Sequence, residues 1–172
     1  MNSKQNKILK KEIQILQDAI EEASKKKKNI IKSTIIKKIF NILEQFLKSK
    51  KLICYGGTAI NNILPKNQQF YDRNIELPDY DFFSPNAIET SIELADIYYK
   101  NGFDEVEAKA GVHIGTYKVY VNFIPIADIT QLDSEIFEQL QQNSIIKDGI
   151  YYAPANYLRM AAYLELSRPD GD

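Results

Sequence analysis

With 172 residues, 44% hydrophobic and 26% charged, the chain has the make-up of a soluble globular protein built around one full core. Twenty-two basic against 23 acidic residues leave a net charge of −1, which excludes the global basic field of a dedicated nucleic-acid binder, so any nucleic-acid contact must be local. The lone cysteine, Cys54, excludes internal disulfides and zinc clusters, and with no membrane-length apolar stretch and no signal core a cytoplasmic protein is expected.

In chain order, Gln5 to Ala23 place Leu9, Ile13, Leu16 and Ile20 at helical intervals, which predicts an amphipathic helix that can serve as a docking arm. The run Lys25-Lys26-Lys27-Lys28 follows; it reads as a solvated junction, with phosphate binding as the sharper alternative. Ile36, Ile39, Phe40, Leu43, Phe46 and Leu47 then recur at three- and four-residue steps and predict a helix packed on a sheet.

Leu52-Ile53-Cys54-Tyr55 is short and apolar, as a buried strand should be, and Thr58 to Leu64 can start a helix. Between them Gly56 and Gly57 allow a sharp turn whose N–H groups approach an oxyanion without a Cβ in the way, and Thr58 adds a hydroxyl donor. A strand, a glycine turn and a helix N-terminus together attract phosphate. Further on, Asp79 and Asp81 lie two apart on a second short strand, Tyr80 to Phe83, so the pleat sends both carboxylates to one face. Two adjacent carboxylates repel, and a divalent cation relieves that repulsion.

Ser84 is expected to cap the next helix with Pro85 in its first position, Ile88, Ile92, Ala95 and Tyr99 forming its buried stripe and Asn101-Gly102 closing it. Strands are predicted over Asp104 to Ala108, Gly115 to Val121 and Phe123 to Ile129. Asp128 stands in the last, an apolar run where a charge is costly unless paired or metal-bound; the plainer reading is a strand-end cap. Asp133 or Ser134 opens a short helix to about Gln142, Ile145 to Tyr152 crosses back, and a last helix from Pro154 carries Tyr157, Met160, Ala161 and Leu164 and stops before Pro169.

The order Tyr55-Gly56-Gly57-Thr58, then Asp79-Tyr80-Asp81-Phe82, resembles the nucleotidyltransferase superfamily, although the stretch from Gly57 to Asp79 is longer than usual there. The wording of the segment, including Leu77-Pro78-Asp79-Tyr80-Asp81-Phe82-Phe83-Ser84, looks like the poly(A) polymerase catalytic subunit of large cytoplasmic DNA viruses. The resemblance implies an α/β (α+β) fold of the polymerase beta-like nucleotidyltransferase type, a short mixed sheet flanked by helices. It implies Asp79, Asp81 and Asp128 as catalytic residues on Mg2+ or Mn2+, and Gly56, Gly57 and Thr58 as the grip on the β- and γ-phosphates of ATP.

On that reading residues 1–28 are a helix and Lys-rich junction, residues 29–172 are the catalytic domain, and a C-terminal helical domain is missing. The partners implied are an RNA 3′ end, ATP and either a second copy or a second subunit, in host cytoplasm or virion. Two other functions suit the same residues: a small-molecule or tRNA nucleotidyltransferase, and a non-catalytic nucleotide-binding subunit. Lys109 and Lys118 are candidates for neutralising triphosphate charge, against the blander reading of exposed strand lysines. Arg73 reads as a surface ion-pair residue and His113, the single histidine, as structural.

Overall fold

The computed structural model describes residues 11–23, 33–72 and 76–167. The Lys25–Lys28 run, Arg73, Leu9 and the last five residues lie outside them. The chain divides into two compact units, Met1–Lys37 with Asp72–Leu77, and Lys38–Tyr71 with Pro78–Asp172. In the first unit, residues 11–23 form helix α1, whose apolar side chains Ile13, Leu16 and Ile20 are exposed.

Helix α2, Thr34–Lys50, carries the apolar steps read from the sequence; Ile39, Phe40, Leu43, Phe46 and Leu47 are all buried. Strand β1, Ile53–Tyr55, runs directly into α3, Gly56–Ile63, and a 3-10 turn, Lys66–Gln68, follows. Strand β2, Tyr80–Ser84, leads to α4, Ala87–Lys100. Then come β3, Val106–Ala110, β4, Thr116–Val121, and β5, Ile124–Gln131. Helix α5, Ser134–Gln142, is followed by β6, Ile145–Lys147, β7, Ile150–Tyr152, and α6, Ala155–Leu166.

The seven strands make one mixed sheet in the order β3-β4-β5-β2-β1-β7-β6. Pairs β1/β7 and β2/β5 are parallel and the other four antiparallel. Because the pleat alternates, one face receives Cys54, Tyr80, Phe82, Ala127, Ile129 and Val119, all buried. Helices α2 and α4 cover it: Tyr80 donates to Glu44 Oε1 at 2.7 Å, and the Tyr98 hydroxyl donates to the Ile39 carbonyl at 2.8 Å.

Four local expectations change. Ser84 ends β2 instead of capping α4; its Oγ accepts from the Asn86 N–H, and Asn86 takes the N-cap position with the Ala87 N–H bonded to Gln131 Oε1. The buried stripe of α4 is Ala87, Ser91, Leu94 and Tyr98, one residue before the expected one, which leaves Ile88, Ile92 and Tyr99 exposed. The reason is that helix rotation follows the fit of small side chains on the sheet and the anchoring Tyr98 hydroxyl, not apolarity alone. Phe123 lies in the β4–β5 turn, where it and Asn122 both have positive φ (64° and 50°), the pairing that a tight two-residue hairpin demands. The stretch from Ile145 to Tyr152 is a hairpin, turned at Asp148 and Gly149 with φ of 52° and 80°.

Strand β3 runs two residues later than the expected Asp104 to Ala108, while the start of α5 matches local chemistry. Asp133 caps α5 by accepting from the Glu135 N–H at 2.9 Å. On α6, Leu158 is buried whereas Met160 and Leu164 are exposed. Among the described residues no helix is long and apolar enough to cross a membrane.

Candidate active site

The opposite face of the sheet carries charge. Register puts Tyr55 of β1 beside Asp81 of β2, Asp81 beside Asp128 of β5, Asp128 beside Lys118 of β4, and Lys118 beside Lys109 of β3. Residues in register share a face, so a single row crosses five strands: a tyrosine, two carboxylates and two lysines. Asp79, immediately before β2 and two residues along the chain from Asp81, is exposed, while Asp81 and Asp128 are half-buried.

These carboxyls act on one another. Burial, then the charges of Asp79 and Asp128, push Asp81 up to about 7, against a smaller opposing pull from Lys118. Asp79 is raised as well, by desolvation first and Asp128 second, again opposed by Lys118. Lys118 donates to Asp128 Oδ2 at 2.5 Å, and that bond is the main reason its ammonium is held above the usual lysine value. The lysine singled out in the sequence is therefore an ion-pair partner of the third aspartate; Lys109 instead bonds Glu107 at 3.1 Å and covers the Tyr120 ring.

The glycine turn closes against the acids. Gly56 has φ +73°, a left-handed value that favours glycine, and a Cβ there would come within 2.4 Å of Asp81 Oδ2. A Cβ on Gly57 would come within 2.6 Å of the Tyr71 hydroxyl. Tyr71 is placed by Asn61, buried on α3, whose Oδ1 accepts from the N–H groups of Phe70 at 2.7 Å and Tyr71 at 2.9 Å. Tyr55, at the N-cap of α3, makes no side-chain capping bond, so the first amides of the helix offer donors beside the carboxylates. Thr58, expected as a hydroxyl donor, is buried in this first turn.

Beside the acids, on the same face of the sheet, lies a polar and aromatic patch that sequence reasoning missed. The Tyr55 hydroxyl shares a 2.8 Å hydrogen bond with Thr130 Oγ1, which shares a 3.0 Å bond with Thr116 Oγ1. Tyr55 stacks on Phe83 at 4.0 Å between ring centroids, and Tyr157 of α6 meets Phe83 edge-on at 5.9 Å. Burial first, then the Asp81 and Asp128 charges, raise Tyr55 to about 12 against the lowering effect of its Thr130 bond. Tyr55 thus belongs to this patch, with one ring face covered by Phe83 and its hydroxyl engaged by Thr130. Its alternation with Cys54 along β1 is the one sequence signal that could have placed it there. His113 is exposed in the β3–β4 turn, its carbonyl accepting from the Thr116 N–H.

In donor type and charge the three carboxyls fit a hard divalent cation, since each is an oxygen ligand and their mutual repulsion is what such an ion relieves. They are not drawn together around one point: among the described residues no three His, Cys, Asp or Glu side chains form a group ready to hold a metal. One Asp128 oxygen is already engaged by Lys118.

The sequence profile of a family described as poly(A) polymerase catalytic subunit matches residues 41–172. A relative from African swine fever virus is 38% identical over 106 residues, 61% of this chain and 22% of that protein. Another, from Acanthamoeba polyphaga mimivirus, is 32% identical over 149 residues, 83% of this chain and 25% of that protein. The crystal structure of the Megavirus polyadenylate synthase superposes with a TM-score of 0.77 at 27% identity, covering 98% of this chain and 34% of that one. The chain spans about a quarter of the length of the curated relatives it matches.

Proposed function

The chain belongs to the poly(A) polymerase catalytic subunit family, and from that premise we propose that it carries the nucleotidyl-transfer centre of an enzyme adding AMP from ATP to RNA 3′ ends. The observation that carries the reading is the row in which Asp81 and Asp128 sit side by side on parallel strands, against the left-handed Gly56 turn and the uncapped N-terminus of α3. Asp79, Asp81 and Asp128 would hold Mg2+ or Mn2+, and such an ion, when bound, lowers the pKa of the attacking 3′ hydroxyl and neutralises charge on the transferring phosphate.

The chain's own residues do the rest. The amides of Gly56 and Gly57, with Thr58, receive the β- and γ-phosphates, because a helix N-terminus without a capping side chain presents donors and a positive dipole end. The Tyr55, Thr130 and Phe83 patch beside the carboxylates ties together the strands that bear them. Residues 29–172 are the catalytic part in this reading, and residues 1–28 an accessory helix and basic junction. The RNA 3′ end, ATP and a second subunit or second copy are the partners, and host cytoplasm or virion the setting.

Labelled nucleotide incorporation, with each of the four NTPs and with or without an RNA primer, tests this in one experiment. Divalent-dependent ATP incorporation into a lengthening ladder is expected, lost when Asp79→Asn is combined with Asp81→Asn. Single additions to a small acceptor would replace polymerisation by small-molecule transfer. Equal incorporation by the double variant and the wild type would overturn the assignment of the carboxylates.

A further inference from the structure

The bond between Lys118 and Asp128 assigns a role that the three carboxylates alone do not contain. Lys118 Nζ lies 2.5 Å from Asp128 Oδ2, with the two side chains 33% and 20% exposed, and both residues are in register on neighbouring strands. Asp128 therefore stands between an ammonium on one side and Asp81 on the other. Among the described residues, it alone of the three carboxyls has a cationic partner in an ion pair.

A lysine is suited to a temporary contact. It presents a compact charge on a flexible stem and makes a single bond here, whereas a guanidinium would lock both carboxylate oxygens. An ammonium and a divalent cation held on the same carboxylate repel each other, so each weakens the hold of the other on Asp128. An anion of high charge entering the glycine turn attracts both. By linkage, the three charges then favour simultaneous entry of cation and nucleotide over cation alone.

We propose that Lys118 is a displaceable counterion: it keeps Asp128 aligned beside Asp81 while no cation is bound, and yields that carboxylate when a divalent cation arrives with a nucleoside triphosphate, toward which its ammonium then turns. Lys118 is thus a positioning residue acting through Asp128. The inference rests on the nucleotidyl-transfer reading and deepens it by making cation binding conditional on the substrate.

The probe is Mn2+ alone, titrated by calorimetry or paramagnetic resonance into the folded chain without nucleotide, and again with ATP present. Removing a positive charge beside the cation position in Lys118→Met should tighten binding of Mn2+ alone by about tenfold. The same substitution should reduce the gain in Mn2+ affinity that ATP brings. Lys118→Arg, which keeps the charge and can grip both oxygens, should bind Mn2+ alone no more tightly than the wild type; it serves as the second variant should Lys118→Met melt early. A merely structural lysine would leave the affinity for Mn2+ alone unchanged or weaker in folded Lys118→Met, and that result overturns the proposal by itself. If instead Asp79→Asn with Asp81→Asn binds Mn2+ as the wild type does, the carboxylate site is what fails, and the counterion falls with it.

Discussion

The two faces of the sheet are made by the same strands and are chemically opposite. On one, Cys54, Tyr80, Phe82, Ala127, Ile129 and Val119 are each at most 1% exposed and pack beneath α2 and α4. On the other, the alternate residues Tyr55, Asp81, Asp128, Thr130 and Lys118 are all half-buried. The dry face supplies cohesion, in which each buried aromatic is held by many small contacts. The charged face is held in place by that cohesion: burial first, then the Asp79 and Asp128 charges, raise Asp81 from an ordinary value of 3.8 to about 7, on a strand anchored by its far side. Separating the two by the pleat lets one sheet carry both stability and repulsion.

The largest effect is expected on the charged face, from Asp81→Asn. Nucleotide incorporation should fall at least about a thousandfold while the circular dichroism spectrum stays unchanged. Stability should move the other way. The folded value of Asp81 lies above its ordinary 3.8, at about 7, so in that window the folded chain keeps a proton that the unfolded chain has released. Stability from this group therefore drops as pH rises from about 4 to about 7 and is level above it. Urea unfolding in chelator at pH 5 and pH 8 should show that drop in the wild type and a smaller one in Asp81→Asn; identical slopes would contradict the strain.

On the dry face, Phe82→Ala should cost about 3–5 kcal/mol of folding stability, since Phe82 is fully buried between the sheet and its helices. Its incorporation rate per folded molecule should stay close to the wild type. A selective loss of turnover without loss of stability would mean that the faces are not separable.

A smaller contrast lies within the glycine turn. Gly56→Ala puts a Cβ against Asp81 and strains a left-handed φ, for an expected loss of about 1–3 kcal/mol. Gly57→Ala meets only the far end of the Tyr71 side chain, which can swing aside, so its cost should stay under about 1 kcal/mol. Paired thermal melts of the two variants decide it, and equal losses would show that the Asp81 contact is not what demands glycine at the first position. Smallest of all, Thr130→Val removes the hinge of the Tyr55–Thr130–Thr116 chain and should cost about 1 kcal/mol, measured by urea unfolding.

The local motifs were legible because their physics is short-range. A left-handed glycine, a period of two through Asp79 and Asp81, and an aspartate cap at Asp133 are properties of a few consecutive residues. The stripe of α4 was not legible, since Ile88, Ile92 and Tyr99 are more apolar than Ala87 and Ser91, yet the anchored Tyr98 turned the latter inward. Likewise an Asp-Gly pair within Ile145–Tyr152 signalled a hairpin that a reading by apolarity alone passed over.

Residue order alone was enough to place a glycine turn and a helix directly after a short buried strand, and to divide alternate residues of β2 between two faces, because chirality and pleating act over one to three residues. That Asp128 lies on one side of Asp81 and Tyr55 on the other, and that Lys118 pairs with Asp128, came from strand pairing across the sheet, because strand neighbours far apart in sequence are chosen by burial of the whole sheet.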